Sequence, residues 1–62
     1  MSTKITIRSS RRFSETLIGH CGRMGVNFSQ DGYFYGETNF WVHPDHVKTF
    51  EQCRAQVSAA QV

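Results

Sequence analysis

The hydrophobic period of this chain switches between two and about 3.6 three times within 62 residues, and so rapid an alternation leaves few folds open to it. Residues 4–8 alternate strictly, with Ile5 and Ile7 on one side and Lys4, Thr6 and Arg8 on the other, the pattern of a half-buried strand. Ser9 and Ser10 follow with hydroxyls suited to accept from the free N–H groups of a helix start. Phe13, Leu17, Cys21 and Met24 then recur at helical spacing, and Gly25 suits the left-handed position that closes a helix. Arg11 and Arg12 oppose this helix's dipole, and Gly19 and Gly22 each cost about 1 kcal/mol relative to Ala.

Residues 26–30 return to alternation, with Val26 and Phe28 inward. Asp31-Gly32 reads as a two-residue hairpin turn, because both positions tolerate positive φ. Residues 33–43 keep one parity, with Phe34, Phe40 and Val42 on one face and Tyr33, Tyr35, Trp41 and His43 on the other. Within them, Gly36-Glu37-Thr38-Asn39 fits either a bulge in one long strand or a second tight turn. Pro44 pre-sets the first turn of a helix and Asp45 complements its dipole. Val47, Phe50, Cys53, Val57 and Ala60 fall on one stripe of that helix, which runs to about Ala60. The reading is a single α+β domain over residues 1–62, with a loose tail from about residue 59. Its order is β-α-β-β-α, a small, mostly antiparallel sheet with two helices on one face.

A chain of this length buries only about 60% of its unfolded surface and has no room for a cofactor domain beside a separate substrate lobe. Its N-terminus lacks the continuous apolar run of a signal peptide, and no apolar stretch approaches a membrane span. Two cysteines make no disulfide framework. The expected location is cytoplasmic. Residues 1–25 carry five cations against Glu15 alone, a net of +4, whereas residues 26–62 carry two cations against four carboxylates, a net of −2. This asymmetry sets a basic pole against an acidic one without requiring nucleic acid as the partner.

His20, Cys21, His43, His46 and Cys53 are metal-ligand types, but zinc needs four of them converging at about 2.0–2.3 Å. His43 and His46 could share an ion across a helix start. His46 and Cys53 stand about 10.5 Å apart along an intact helix, too far for one ion, and there is no C-x-x-C pair. Cys21 and Cys53 lie on apolar helix stripes, where a thiol acts as a small hydrophobe. A bridge between them is geometrically open to two helices, and a reducing compartment argues against it. No nucleophile, base and orienting group fall together. The chain is therefore expected to be neither an enzyme nor a metal or cofactor carrier.

Two resemblances cover parts of the chain. Residues 3–30, with an alternating strand, a helix and Met24-Gly25-Val26-Asn27-Phe28-Ser29 as an inter-helix turn, resemble the opening of a ribbon-helix-helix repressor. That likeness implies a dimeric ribbon projecting Lys4, Thr6 and Arg8 into a major groove. Asp31-Gly32 and the aromatic run stand where that family's second helix should follow. Ile18-Gly19-His20-Cys21-Gly22 is similar to the GxxG loop of KH domains, which clamps a nucleic-acid backbone. The helix those domains place after the loop has no room before Val26, and neither likeness assigns the chain to a family.

With helices on one face of the sheet, the other is expected to carry Tyr33, Tyr35 and Trp41 beside Lys4, Thr6, Arg8 and Asn27. Tyr and Trp combine apolar area with a polar tip and dominate binding hot spots. The partner-binding candidates are therefore Tyr33, Tyr35, Trp41, Lys4, Arg8, Arg11 and Arg12. The expected function is a small non-enzymatic regulator or inhibitor working by protein–protein contact, with another protein or as a homodimer. By analogy of class alone, phages and mobile elements carry such factors. The alternative is a nucleic-acid binder that stacks bases on the aromatics and holds phosphates with the basic N-terminal half.

Overall fold

The computed structural model describes residues 2–60, and the alternating N-terminal segment forms strand β1 (Thr3–Arg8) with Ile7 buried and Lys4, Thr6 and Arg8 exposed. Helix α1 (Arg11–Arg23) starts at Ser10, whose hydroxyl accepts from the Phe13 N–H at 3.2 Å. It closes at Gly25, where φ is +76°. Gly25 N–H donates to Gly22 O at 3.2 Å and Val26 N–H to Cys21 O at 3.1 Å, the paired bonds of a Schellman motif. Val26 is thus used to close the helix and pack into the core, so strand β2 (Phe28–Phe34) begins two residues later than the alternation indicates. Met24 is the helix cap and is exposed; Ser14 takes a buried place on the inner face instead.

Strand β3 (Glu37–Val42) is central, in a sheet of order β1-β3-β2 with both pairings antiparallel. The β2–β3 turn is Tyr35-Gly36, not Asp31-Gly32. Phe34 pairs with Glu37, and the two residues between have φ of +51° and +80°, as a type I′ turn requires. Asp31-Gly32 is instead a bulge: Gln30 pairs with Phe40 and Tyr33 with Thr38, leaving two residues of β2 opposite Asn39. The Asp31 carboxylate holds the bulge by accepting from the Asn39 backbone N–H at 3.1 Å and from Asn39 Nδ2 at 2.9 Å. Gly32 there has φ of +91°. The extra residue reverses the expected parity, turning Tyr33 toward the helices and Phe34 onto the opposite face.

After β3, Pro44–His46 forms a 3-10 turn that leads into helix α2 (Val47–Ala60). Both helices pack on one face of the sheet, as the sequence pattern indicates. Ile7, Phe40 and Val42 meet Leu17 and Cys21 of α1 and Phe50, Cys53 and Val57 of α2. Ala60, at the end of the α2 stripe, is exposed. Of the loose tail expected from residue 59, residues 59 and 60 continue α2 and the last two lie outside the described residues. Two features separate the chain from the families it resembles. Gly19 to Gly22 is one turn of α1 rather than a loop, and β1 pairs along its whole length with β3 of its own chain.

Cys21 and Cys53 are free and buried in the core where α1 meets α2. Burial, reinforced by the neighbouring Cys53, pushes the Cys21 thiol from 9.0 up to about 12. Ellman's reagent at pH 8 should therefore label the native protein slowly and release both thiols at once in denaturant. An unfolded chain loses the Cys21 proton above pH 9, whereas the folded one keeps it to about 12. Stability should thus decline as pH rises through that window. Fast labelling of two thiols in the native protein would contradict this packing.

Candidate functional site

The face of the sheet away from the helices is built in three rungs, set by the register of β1 and β2 on β3. Lys4 and Ser29 flank Trp41, Thr6 and the Asp31 bulge flank Asn39, and Arg8 and Phe34 flank Glu37. The middle rung is a hydrogen-bonded chain, with Thr6 Oγ1 donating to Asn39 Oδ1 at 2.7 Å and Asn39 donating twice to Asp31. These bonds from Asn39, with a smaller contribution from Lys4, lower the Asp31 carboxyl below its ordinary value. They add stability that is present above that ordinary value and lost as pH falls through the lowered one. On the third rung Arg8 Nε contacts Glu37 Oε2 at 3.4 Å, with the Arg8 side chain 85% exposed. Two cations and two carboxylates share the face.

The hairpin projects beyond these rungs. Tyr35, at the first turn position, is 100% exposed, and Phe34 beside it is 61% exposed. Gly36 supplies the second positive φ without a side chain, and the Ser9 N–H donates to its carbonyl at 3.0 Å.

The seven candidate residues do not gather as the unbroken parity implies. Lys4, Arg8 and Trp41 share the open face, with Trp41 half-buried between its neighbours. Tyr35 stands at the hairpin tip. Tyr33 lies on the helix side, where its hydroxyl donates to Ser9 O at 2.9 Å and the Arg11 guanidinium stacks 5.5 Å from its ring centre. That pair ties the hairpin to the start of α1. Arg12 belongs to another surface, lining a groove with Thr16, Val57 and Ala60. Asn27 precedes β2, and His43 caps the 3-10 turn by accepting from the Asp45 N–H at 3.1 Å. Phe34, Asn39 and Asp31 join the surface unforeseen. The signal for them was the Tyr-Gly pair at 35–36, which as a turn gives two strands of nearly equal length.

The ligand-type residues have other partners. His20 Nε2 bonds Gln56 Oε1 at 2.7 Å, and His46 Nδ1 accepts from the Asn27 N–H at 2.8 Å. His43 and His46 rings stand 5.6 Å apart, each with Nδ1 engaged by a backbone N–H. Among the described residues no group of three or more His, Cys, Asp or Glu is placed to hold a metal ion. Among them, too, no helix is long and apolar enough to cross a membrane. Buried hydroxyls satisfy one another: Thr38 Oγ1 donates to Ser14 Oγ at 3.0 Å, and Ser14 Oγ lies 3.0 Å from Ser9 Oγ. Compared with known proteins, the chain matches no family model, no curated protein and no solved structure.

Proposed function

We propose that this chain is a small non-enzymatic regulatory protein that works by protein–protein contact, with the β2–β3 hairpin tip as its anchor. The observation that carries the reading is Tyr35, a fully exposed aromatic held at φ of +51° in a turn position that favours Asn or Gly. A left-handed conformation costs a side chain with a Cβ roughly 1–2 kcal/mol. Tyr35 recovers none of that cost by burial. Backbone strain at an exposed position points to use by a ligand rather than by the fold. With Phe34 alongside, the tip offers two aromatic rings to a partner, the residue class that supplies interface anchors.

Protein is favoured over nucleic acid because Asp31 and Glu37 interleave with Lys4 and Arg8 on the open face. A surface with as many carboxylates as cations offers a phosphate backbone little net attraction. The test is affinity for mixed-sequence single-stranded and duplex oligonucleotides across a salt titration. No measurable binding at low salt is expected. Micromolar or tighter binding with a steep salt slope would overturn the reading, as it would require several phosphate contacts.

A further inference from the structure

The geometry points to the outer edge of β1 as a docking strand for an extended, acidic segment of a partner protein. This inference deepens the reading above and rests on the partner being a protein. Strand β1 is an edge of the sheet, bonded only to β3 among the described residues. The bond from Ser9 N–H to Gly36 O fixes which of its backbone groups are free. In an antiparallel ladder, bonded and non-bonded pairs alternate. The bonded pairs of this ladder are therefore Ile7 with Thr38, Ile5 with Phe40 and Thr3 with Val42. Lys4, Thr6 and Arg8 direct their backbone N–H and C=O groups outward. The other edge, β2, is broken by the Asp31-Gly32 bulge, a device that discourages strand addition. The β1 edge is regular.

The side chains of the same residues specify the occupant. Lys4 and Arg8 are exposed on the open face, and Arg8 engages Glu37 through Nε alone among the described residues. A strand laid antiparallel to β1 would set two of its residues, four apart, opposite these cations. Opposite charges in such cross-strand positions attract and like charges repel. Ile5 and Ile7 point to the other face, so the incoming residues next to them should be apolar. The occupant is thus an acidic, apolar, small, apolar, acidic run. A second copy of this chain is the wrong occupant. The antiparallel register that uses all three outward residues would set Lys4 of one copy opposite Arg8 of the other, twice.

The experiment is a titration of the full ¹⁵N-labelled chain with the peptide acetyl-Thr-Glu-Val-Thr-Val-Glu-Thr-amide, and with the same peptide carrying Lys for Glu. The acidic peptide should shift the amides of Lys4, Thr6 and Arg8 and slow their hydrogen exchange. It should bind at least about fivefold tighter than the basic one. The double variant Lys4→Glu with Arg8→Glu should reverse that order. Unchanged β1 amides at millimolar peptide, or equal binding of the two peptides, would overturn the proposal. So would protection of these amides in a free protein that sediments as a dimer, since a second copy would then hold the edge. Failure of the edge with a Tyr35-dependent partner still captured would remove the strand and keep the hairpin. Nucleic-acid binding would remove both.

Discussion

Replacing Phe50 with Ala should destabilise the fold by about 3–5 kcal/mol, the range for emptying a buried aromatic site. Phe50 is 0% exposed, and its ring centre lies 5.1 Å from that of Phe40, which in turn lies 6.0 Å from Phe28. These three rings join α2 to the central and outer strands, so truncation removes the contact that seats the last helix. A domain of this size has roughly 3–9 kcal/mol of total stability, and the substitution would take most of it. In a thermal melt the midpoint should fall by at least about 12 °C. Phe34→Ala is the matched control, because that ring is exposed and its loss should stay within about 0.5 kcal/mol. A Phe50→Ala protein that melts with the wild type would show that α2 is not packed on the sheet as described.

Tyr35→Asn should separate the fold from its use. Asn tolerates the left-handed conformation and makes the turn Asn-Gly, the preferred pair for a type I′ hairpin. Stability should rise by about 0.5–1 kcal/mol as the strain is relieved. Partner affinity should fall by more than about 2 kcal/mol, roughly 30-fold, the loss expected when a hot-spot aromatic is removed. Opposite signs from one substitution are what a binding role predicts. A variant that loses stability instead would place Tyr35 among the residues that hold the hairpin.

The elements themselves were legible in the sequence because their periods are clean. The Ile5 and Ile7 alternation, the Ser10 cap, the Gly25 closure and the Phe50, Cys53 and Val57 stripe each form what local chemistry dictates. A hairpin was legible, with a tight turn near Gly36 left open beside Asp31-Gly32, but the position of its turn at 35–36 was not, for a definite reason. Asp31-Gly32 and Tyr35-Gly36 both present a glycine after a residue that can adopt positive φ, and Asp-Gly is much the stronger turn signal locally. What reverses the preference is tertiary: Asp31 finds both an N–H and an amide donor on Asn39 across the sheet. Placing the turn at 35–36 also lets seven residues of β2 meet six of β3. One inserted residue then exchanges the faces of Tyr33 and Phe34, so an aromatic sheet face becomes an aromatic tip above a mixed-charge face. The cations of β1 kept their expected side because no bulge precedes them.

Binding of a protein by the hairpin tip is tested most directly by paired capture. Wild-type chain and Tyr35→Asn, both confirmed folded by circular dichroism, would be immobilised side by side. Lysate of the source cells, with and without nuclease treatment, would be passed over each, and the retained proteins identified and quantified by mass spectrometry. A protein held in near-stoichiometric amount by the wild type and depleted at least about tenfold on the variant is the expected result. Equal retention on both surfaces, or a wild-type ligand that disappears with nuclease treatment, would contradict it.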